Sequence, residues 1–307
     1  MTKHVFIINP VAGKAKGLKL IPIIKELFND RSEEYVIEVT NAPGHAEIIA
    51  ASYSRVCKCR IYSIGGDGTL NEVMNGMAGT DSELAIIPCG TGNDFIRSII
   101  ENWSLEDILY KTINGDAKNV DFAKVNSRYF INIASVGFDA EVVFNTRKFK
   151  RLPGVSGSLA YILGIIYTVF KYSGDQLKIS IDGKKISKKL LLVAVANGRF
   201  YGGGMQPTPH ADLCDGLLDV CLIDTINIFK ILAFFPKLIK GTHGSMKEVT
   251  FFKGRKIEIE SDNDICINAD GEIFRGKKIE FEIQKVGLSV IIPIKEELTL
   301  ATAEKSS

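Results

Sequence analysis

The sequence predicts two domains, an α/β domain over residues 1–122 and an all-β sandwich domain over residues 123–291. Three observations favour this division. Strand and helix signals alternate through the first 120 residues, which is typical of a parallel sheet covered by helices on both faces. After about Val120, short strands separated by turn residues replace that alternation. Glycine-bearing loops also follow three of the early strands, at the strand ends where parallel sheets bind ligands.

The composition is that of a globular chain with nearly balanced charge. The 307 residues include 38 basic and 36 acidic side chains, so nucleic acid is not an expected partner. The six cysteines lack a paired metal-binding spacing, which indicates reduced thiols. The apolar run over residues 159–170 is shorter than the roughly 20 residues that span a bilayer. Because a strand begins at Val5, we expect no signal peptide and a cytoplasmic protein that at most touches a membrane from one side.

The elements of the first domain follow from apolar periodicity. Predicted strands cover residues 5–8, 35–39, 61–64 and 84–87. Helical spacing of apolar residues predicts helices around residues 20–27, 46–53 and 70–77. Three loops leave these strands at their carboxyl ends, namely residues 9–14, 65–69 and 90–94. Because the strands are parallel, we expect the three loops to meet at one edge of the sheet.

The loop Gly65-Gly66-Asp67-Gly68-Thr69 predicts a phosphate site. Glycines let backbone N–H groups and a helix N-terminus approach an anion closely. Asp67 would repel phosphate unless a divalent cation lay between them, and Mg²⁺ binds carboxylate together with phosphate oxygens. Asp94 and Asp121 follow two other strands, so we expect them near Asp67 at the same edge. The sequence therefore predicts a site for a nucleotide and a metal ion.

The second half reads mainly as antiparallel strands with two helices. Predicted strands cover residues 122–125, 129–133, 177–181, 190–196, 218–223, 256–260, 265–268, 279–283 and 288–292. Helices are predicted over residues 158–171 and 226–240, and core packing is the simplest interpretation of their apolar residues. Basic residues flank both helices, which also suits docking on an anionic membrane. Residues 268–272 read most simply as a hairpin turn.

The motifs together resemble the diacylglycerol kinase catalytic family, in particular the bacterial soluble lipid kinases. The resemblance lies in NPVAG at residues 9–13, GGDGTLNEV at 65–73 and GTGNDFIR at 90–97. It continues through Asn132, GFDA at 137–140, the run from 197 to 220, and DGE at 270–272. The resemblance implies a Rossmann-like domain of the NAD kinase and diacylglycerol kinase type, followed by the sandwich. It also implies that residues from about 292 to 307 return to the first domain.

The resemblance implies roles for individual residues. Those that would contact ATP are Asn9, Pro10, Val11, Ala12, Gly13, Thr40, Gly65, Gly66, Asp67, Gly68, Thr69, Leu70, Asn71 and Thr91. Asp67 would serve the nucleotide-bound magnesium or the reacting phosphate, supported by Asp94 and Asp121. Glu272 matches the proton acceptor, with Asp270 as the alternative base. A second, structural Mg²⁺ would be held by Asp215, the backbone of Leu217 and Asp212.

The expected function is transfer of the γ-phosphoryl of ATP, with Mg²⁺, to a lipid hydroxyl at a membrane surface. Diacylglycerol, phosphatidylglycerol, a sphingoid base and a polyprenol all remain open as the acceptor. One alternative is an NAD kinase, which shares the GGDGT loop and the two-domain plan. The other is a regulatory protein that binds nucleotide and membrane without catalysis. A homodimer through an exposed sandwich edge is also left open.

Overall fold

The computed structural model describes residues 2–100, 102–152 and 155–295 of the chain. These residues form two sheets, one of six strands and one of nine. Helices cover both faces of the six-stranded sheet, and every described pairing in the nine-stranded sheet is antiparallel. The predicted combination of an α/β domain with an all-β sandwich domain is confirmed.

The strands of the six-stranded sheet are β1 (Lys3–Ile8), β2 (Tyr35–Val39), β3 (Cys59–Gly65), β4 (Glu83–Pro88), β5 (Asp116–Val120) and β15 (Leu288–Ile292). Their order in the sheet is β2-β1-β3-β4-β15-β5. β1 to β4 pair in parallel, while β15 pairs in parallel with β4 and antiparallel with β5. The chain thus re-enters this sheet at Leu288, slightly before the return expected at about residue 292. Residues 296–307 of that return lie outside the described part.

Helices pack on both faces of this sheet. They are α1 (Leu20–Leu27), α2 (His45–Ser54), α3 (Asp67–Met77) and α4 (Leu105–Ile113). Val5 and Ile7 of β1 pack with α2 and α3, whereas Phe6 and Ile8 pack with α1 and α4. Successive side chains of a strand point to opposite faces, so a strand that is apolar throughout supplies two cores. This is why the continuous apolar run in β1 predicts a buried strand.

The nine-stranded sheet closes on itself to form the sandwich. Its strands are β6 (Ala123–Val125), β7 (Arg128–Phe130), β8 (Ile133–Gly137), β9 (Asp175–Ile181), β10 (Lys184–Ala196), β11 (Leu218–Asp224), β12 (Val249–Gly254), β13 (Lys256–Ala269) and β14 (Glu272–Ile283). β9 pairs with both β10 and β13, which brings distant parts of the sheet together. The inner face holds an apolar core that includes Phe130, Val193, Val220 and Phe281.

Three helices lie against the outer face of the sandwich: α5 (Phe138–Phe149), α6 (Gly157–Lys171) and α7 (Ile228–Ile239). α6 and α7 lie within one or two residues of the predicted helices. α5 is missing from the prediction because polar residues, Asn145 and Thr146, occupy its buried side and break the apolar periodicity.

The expectation that the apolar residues of α6 pack in a core is wrong for one face of that helix. Leu159, Ile162, Ile166 and Phe170 are 45%, 52%, 49% and 74% exposed. α6 instead contacts α5 through small and polar residues, since a Cβ at Gly164 would lie 2.4 Å from the hydroxyl of Thr146. This row of apolar residues therefore faces outward, whereas Ile165 and Val169 of α6 pack against the core of the second domain. No helix in the described ranges is long and apolar enough to cross a membrane.

Candidate active site

The three glycine loops meet at the carboxyl edge of the first sheet. A Cβ at Gly13 would lie 1.8 Å from the carbonyl oxygen of Cys89, which joins the first loop to the third. A Cβ at Gly90 would lie 2.5 Å from the Cα of Gly66, which joins the third loop to the second. Glycine is needed at these positions because the backbones touch and leave no room for a side chain.

Asp67 ties the second loop to the third. Its carboxylate accepts hydrogen bonds from the backbone N–H groups of Asn93 and Asp94, both at 2.8 Å. Asp67 is also the first residue of α3, where the helix dipole favours a negative charge. The side chain is therefore held in place before any ligand arrives.

A cavity of about 280 Å³ lies on one side of this turn. The predicted ATP-contacting residues that line it are Asn9, Pro10, Val11, Thr40, Gly68 and Thr69. The side chain of Asn9 donates to the hydroxyl of Thr69 at 2.9 Å, which connects the first loop to α3. The stretch from Asn41 to Pro43 also lines this cavity and is missing from the prediction. Its position directly after β2, at the same sheet edge, is the signal that could have identified it.

The other predicted ATP-contacting residues do not line that cavity. Ala12 and Gly13 belong to the first loop, and Thr91 is exposed in the third. Asn71 is buried and donates to the carbonyl oxygen of Tyr129 at 3.3 Å, so it links α3 to the second domain. The remaining ones, Gly65, Gly66, Asp67 and Leu70, border a small gap behind the turn.

A second cavity, of about 230 Å³, lies between the two domains on the other side of Asp67. Four carboxylates line this interdomain cleft: Asp67, Asp94, Asp139 and Asp270. Three of them are predicted site residues. Asp139, in the first turn of α5, has no predicted role. The signal for it is an acidic residue two positions after the end of the buried strand β8.

Asp94 joins the domains across the cleft. Both of its carboxylate oxygens accept from the backbone N–H of Gly203, at 3.0 and 3.1 Å. Burial raises the pKa of Asp94, and the nearby charge of Asp67 adds to that effect.

Asp270 enters the cleft from a hairpin turn. Asp270 and Gly271 have positive φ angles of 47° and 92° and connect β13 to β14, so the predicted hairpin is confirmed. The carboxylate accepts from the backbone N–H groups of Ile131 at 2.8 Å and Ile133 at 3.0 Å. Burial raises the pKa of Asp270 to about 6. Glu272, two residues later, is exposed and does not line the cleft.

Asp121 lies apart from these carboxylates, so the expectation that it joins Asp67 is wrong. Its Oδ2 accepts from the backbone N–H of Gly216 at 2.7 Å, which draws it into the loop before β11. Burial raises the pKa of Asp121, and the charges of Asp215 and Asp212 raise it further. Those neighbours are predicted ligands of the structural metal ion.

The arrangement around Asp215 does not fit the predicted metal ion. One oxygen of Asp215 accepts from the backbone N–H of Leu217 at 3.0 Å, and the other lies 2.7 Å from Nζ of Lys253. Oδ1 of Asp212 accepts from the backbone N–H of Cys214 at 3.0 Å. An ammonium group thus neutralises the carboxylate that a cation would need. In the described ranges, no three acidic, histidine or cysteine side chains converge on a metal position.

Comparison with known families identifies the class of protein. Residues 3–125 match the diacylglycerol kinase catalytic domain. Residues 132–292 match the YegS C-terminal domain, described as NAD kinase β-sandwich-like. The chain belongs to the diacylglycerol kinase catalytic family, which is a family of lipid kinases. Membership in a kinase family implies ATP as the co-substrate.

Individual relatives align with this chain along most of their length. A diacylglycerol kinase of Bacillus subtilis is 29% identical over 277 residues, which cover 89% of this chain and 90% of the relative. A Pseudomonas aeruginosa protein named as a candidate YegS-like lipid kinase is 30% identical over 293 residues, which cover 92% of this chain and 92% of the relative. A solved Bacillus anthracis protein, described as a candidate diacylglycerol kinase, superposes with a TM-score of 0.76 at 25% identity, over 95% of each chain.

Proposed function

We propose that this protein transfers the γ-phosphoryl group of ATP to the hydroxyl of a lipid, diacylglycerol or a related one, in the interdomain cleft. The observation that carries the proposal is the position of the Asp67 turn between two cavities. Gly68 and Thr69 line the cavity of the first domain, and Asp67 lines the cleft. A phosphoryl group bound at the turn would therefore have nucleotide on one side and an acceptor on the other.

The first domain has the groups that bind a nucleotide phosphate. The N-terminus of α3 and the glycine loops offer backbone N–H groups to an anion. Mg²⁺ brought by the nucleotide would neutralise charge on the phosphates, and Asp67 is the residue that would hold it. A structural Mg²⁺ at Asp215 is not part of the proposal, because Lys253 already pairs with that carboxylate.

Asp270 is the base that we propose for the acceptor hydroxyl. It lines the cleft, and a pKa near 6 leaves it ionised at neutral pH while it stays basic enough to take a proton. Glu272 is exposed outside the cleft and lacks access to an acceptor held beside Asp67.

Two variants test the assignment of Asp270 as the base. Asp270→Asn should lower kcat by about a hundredfold or more, the usual contribution of a general base. Glu272→Gln should stay within about threefold of the wild type, because the side chain lies outside the cleft. The measurement is lipid phosphorylation with labelled ATP, with urea unfolding to show that each variant is folded. A larger loss of kcat in Glu272→Gln than in Asp270→Asn would contradict the assignment of Asp270.

The exposed face of α6 supports contact with a membrane. The apolar residues Leu159, Ile162, Ile166 and Phe170 face outward, and they lie in the same helical layer as exposed basic residues at the end of α5. Those basic residues are Arg147, Lys148, Lys150 and Arg151. Apolar side chains beside basic ones suit the surface of an anionic bilayer. A lipid acceptor would then enter the cleft from the side of the second domain.

The test of the function is a screen with labelled ATP. Purified protein is incubated with ATP and Mg²⁺ and with either separate lipid classes in anionic vesicles or NAD. We expect label in a lipid and none in NADP. Label in NADP alone would favour an NAD kinase, and ATP binding without any labelled product would favour a regulatory protein; either result would overturn the proposal.

A further inference from the structure

A cavity of about 290 Å³ lies at the amino edge of the first sheet, opposite the glycine loops. Its walls come from the start of β1, the loop between α1 and β2, the start of β3 and the end of α4. Its polar lining residues are Thr2, His4, Arg31, Ser32, Glu33 and Arg60. Two guanidinium groups and an imidazole therefore meet in a space that the proposed phosphoryl transfer does not use.

His4 is the most buried polar side chain of this cavity. It is 4% exposed, and its ring packs against Phe28 and Tyr62. Nδ1 lies 2.8 Å from the hydroxyl of Tyr62, whereas Nε2 has no hydrogen-bond partner among the described residues and is not sealed from solvent. Nε2 therefore faces the cavity that the ring lines. When Tyr62 donates to Nδ1, Nε2 carries the hydrogen and can donate it to a ligand.

Both arginines are fixed by hydrogen bonds that leave other N–H groups free. Arg60 donates through Nε to Glu83 and through Nη1 to the carbonyl oxygen of Ile113, both at 2.9 Å. Its Nη2 makes no hydrogen bond within the described ranges. Arg31 donates through Nη2 to Asn114 at 2.7 Å, and no described acid forms an ion pair with it. The two side chains are thus held in place with donors left over for a ligand.

The charges at this cavity favour an anion. Glu83 lies 2.9 Å from Arg60 and 3.3 Å from Lys58, so one carboxylate is shared by two cations. Arg31 adds a third cation, and Glu33 adds the second acid. One positive charge is left in excess, beside three side chains that can donate hydrogen bonds.

The protonation of His4 is coupled to these charges. Burial lowers the pKa of His4 to about 4, and the charges of Arg60 and Arg31 lower it further, while Glu33 and Glu83 act in the opposite direction. The ring is therefore neutral at neutral pH. An anion beside it would offset the two guanidinium charges and favour the protonated ring.

We propose that this cavity binds a phosphate dianion, either free or as the phosphate monoester of a small molecule. Arg31, Arg60 and His4 would donate to separate phosphate oxygens, and the hydroxyl of Ser32 offers a further donor. A phosphate monoester has three acceptor oxygens and a carboxylate has two, so the donors match phosphate better. The volume is close to the roughly 300 Å³ of the smallest ligand pockets, which leaves room for a group esterified to the phosphate.

Calorimetric titration of the full chain tests the binding. Inorganic phosphate, glycerol 3-phosphate and acetate are titrated separately at neutral pH and constant ionic strength. We expect a Kd of about 1 mM or tighter for at least one phosphate, and binding of acetate that is about tenfold weaker or more. The more tightly bound phosphate identifies the source of the ligand. Equal affinity for acetate, or no phosphate binding at about 10 mM, would overturn the proposal.

Three variants distinguish this cavity from the glycine loops, which could also bind phosphate. Arg31→Gln should weaken phosphate binding about tenfold or more, because a charged donor is lost. Glu33→Gln should strengthen it about threefold, because a like charge is removed from the wall. Arg55→Gln is the matched control, since Arg55 is exposed at the same edge of the sheet but outside the cavity.

Unchanged affinity in both the Arg31 and the Glu33 variants would overturn the proposal. If Arg31→Gln does not fold, Glu33→Gln decides, because Glu33 makes no side-chain hydrogen bond or ion pair within the described residues. The result does not depend on lipid kinase activity, since the cavity and the catalytic cleft lie at opposite edges of the first sheet.

The ring of His4 gives a second readout, followed by NMR of its C–H groups. Sulfate is used here because it stays dianionic from pH 8 to 5, so that only the protein titrates. Without sulfate the ring should stay neutral over this range, and saturating sulfate should raise the pKa of His4 by about 1 or more. Sulfate affinity should therefore increase as the pH falls. The exposed ring of His210, in the second domain, should not respond to sulfate. Absence of a response at His4 would overturn the proposal.

Discussion

Replacement of Asp67 by alanine should affect both stability and activity. The carboxylate accepts two backbone hydrogen bonds, from Asn93 and Asp94, and each is 2.8 Å long. Loss of a hydrogen bond to a charged group is unfavourable by about 1.5–3 kcal/mol when the site is buried. Asp67 is only partly buried, so water can replace some of that interaction. We therefore expect Asp67→Ala to lower the free energy of unfolding by about 2–4 kcal/mol.

Asp67→Asn separates the structural role from the chemical one. The amide keeps one oxygen as acceptor, so the free energy of unfolding should fall by about half as much as with alanine. The negative charge of Asp67 is lost in both variants. We expect kcat to fall by about a hundredfold or more, because the neutral side chain no longer holds the Mg²⁺ that would neutralise the reacting phosphate.

The measurements are urea unfolding and turnover of labelled ATP with lipid vesicles, with the exposed Asp81→Ala as the control in the same domain. Turnover of Asp67→Asn within threefold of the wild type would refute the role of Asp67 in phosphoryl transfer. Unchanged stability of Asp67→Ala would refute the role of its two hydrogen bonds.

Three further predictions follow from the same structure. A Cβ at Gly68 meets nothing within 4 Å, so Gly68→Leu should fold normally. The leucine side chain would fill the cavity of the first domain that we assign to the nucleotide, and KM for ATP should rise at least tenfold in steady-state kinetics. Phe170→Glu should weaken sedimentation with anionic vesicles about tenfold or more, whereas Val56→Glu, equally exposed on the first domain, should not. Burial raises the pKa of Asp139 to about 6, so the native state binds its proton more tightly than the unfolded chain. As pH rises from 4 to 7, the unfolding free energy of the wild type should therefore fall relative to Asp139→Asn by about 2 kcal/mol, as measured by urea titration; a flat difference would contradict the shifted pKa.

Local patterns of the sequence were sufficient for β1 to β4 and α1 to α3 of the first domain, whereas α4 and β5 are missing from the prediction and β15 was predicted with the strands of the second half. The continuous apolar run of β1 and the helical spacing in α1 and α2 depend on which residues face the core, and that periodicity is visible without coordinates. The glycines of the three loops predict close backbone approach for the same reason, since only glycine tolerates it. The hairpin at Asp270 and Gly271 is also a local feature, determined by turn chemistry.

Surface exposure of the helices in the second domain could not be predicted in this way. A stripe of apolar residues on α6 looks the same whether it faces a core or solvent. The contact with α5 decides between them, because Gly164 and Thr168 bring the polar side of the helix against Asn145 and Thr146.

The sequence by itself determined the two-domain fold, the glycine loops and most of the acidic residues available to a site. Only the tertiary structure decided which acids share the cleft. Asp270 bonds to Ile131, 139 residues earlier in the chain, whereas Asp121 turns to Gly216 and Asp215 pairs with Lys253. These differences depend on long-range packing, which brings together groups that no local spacing relates.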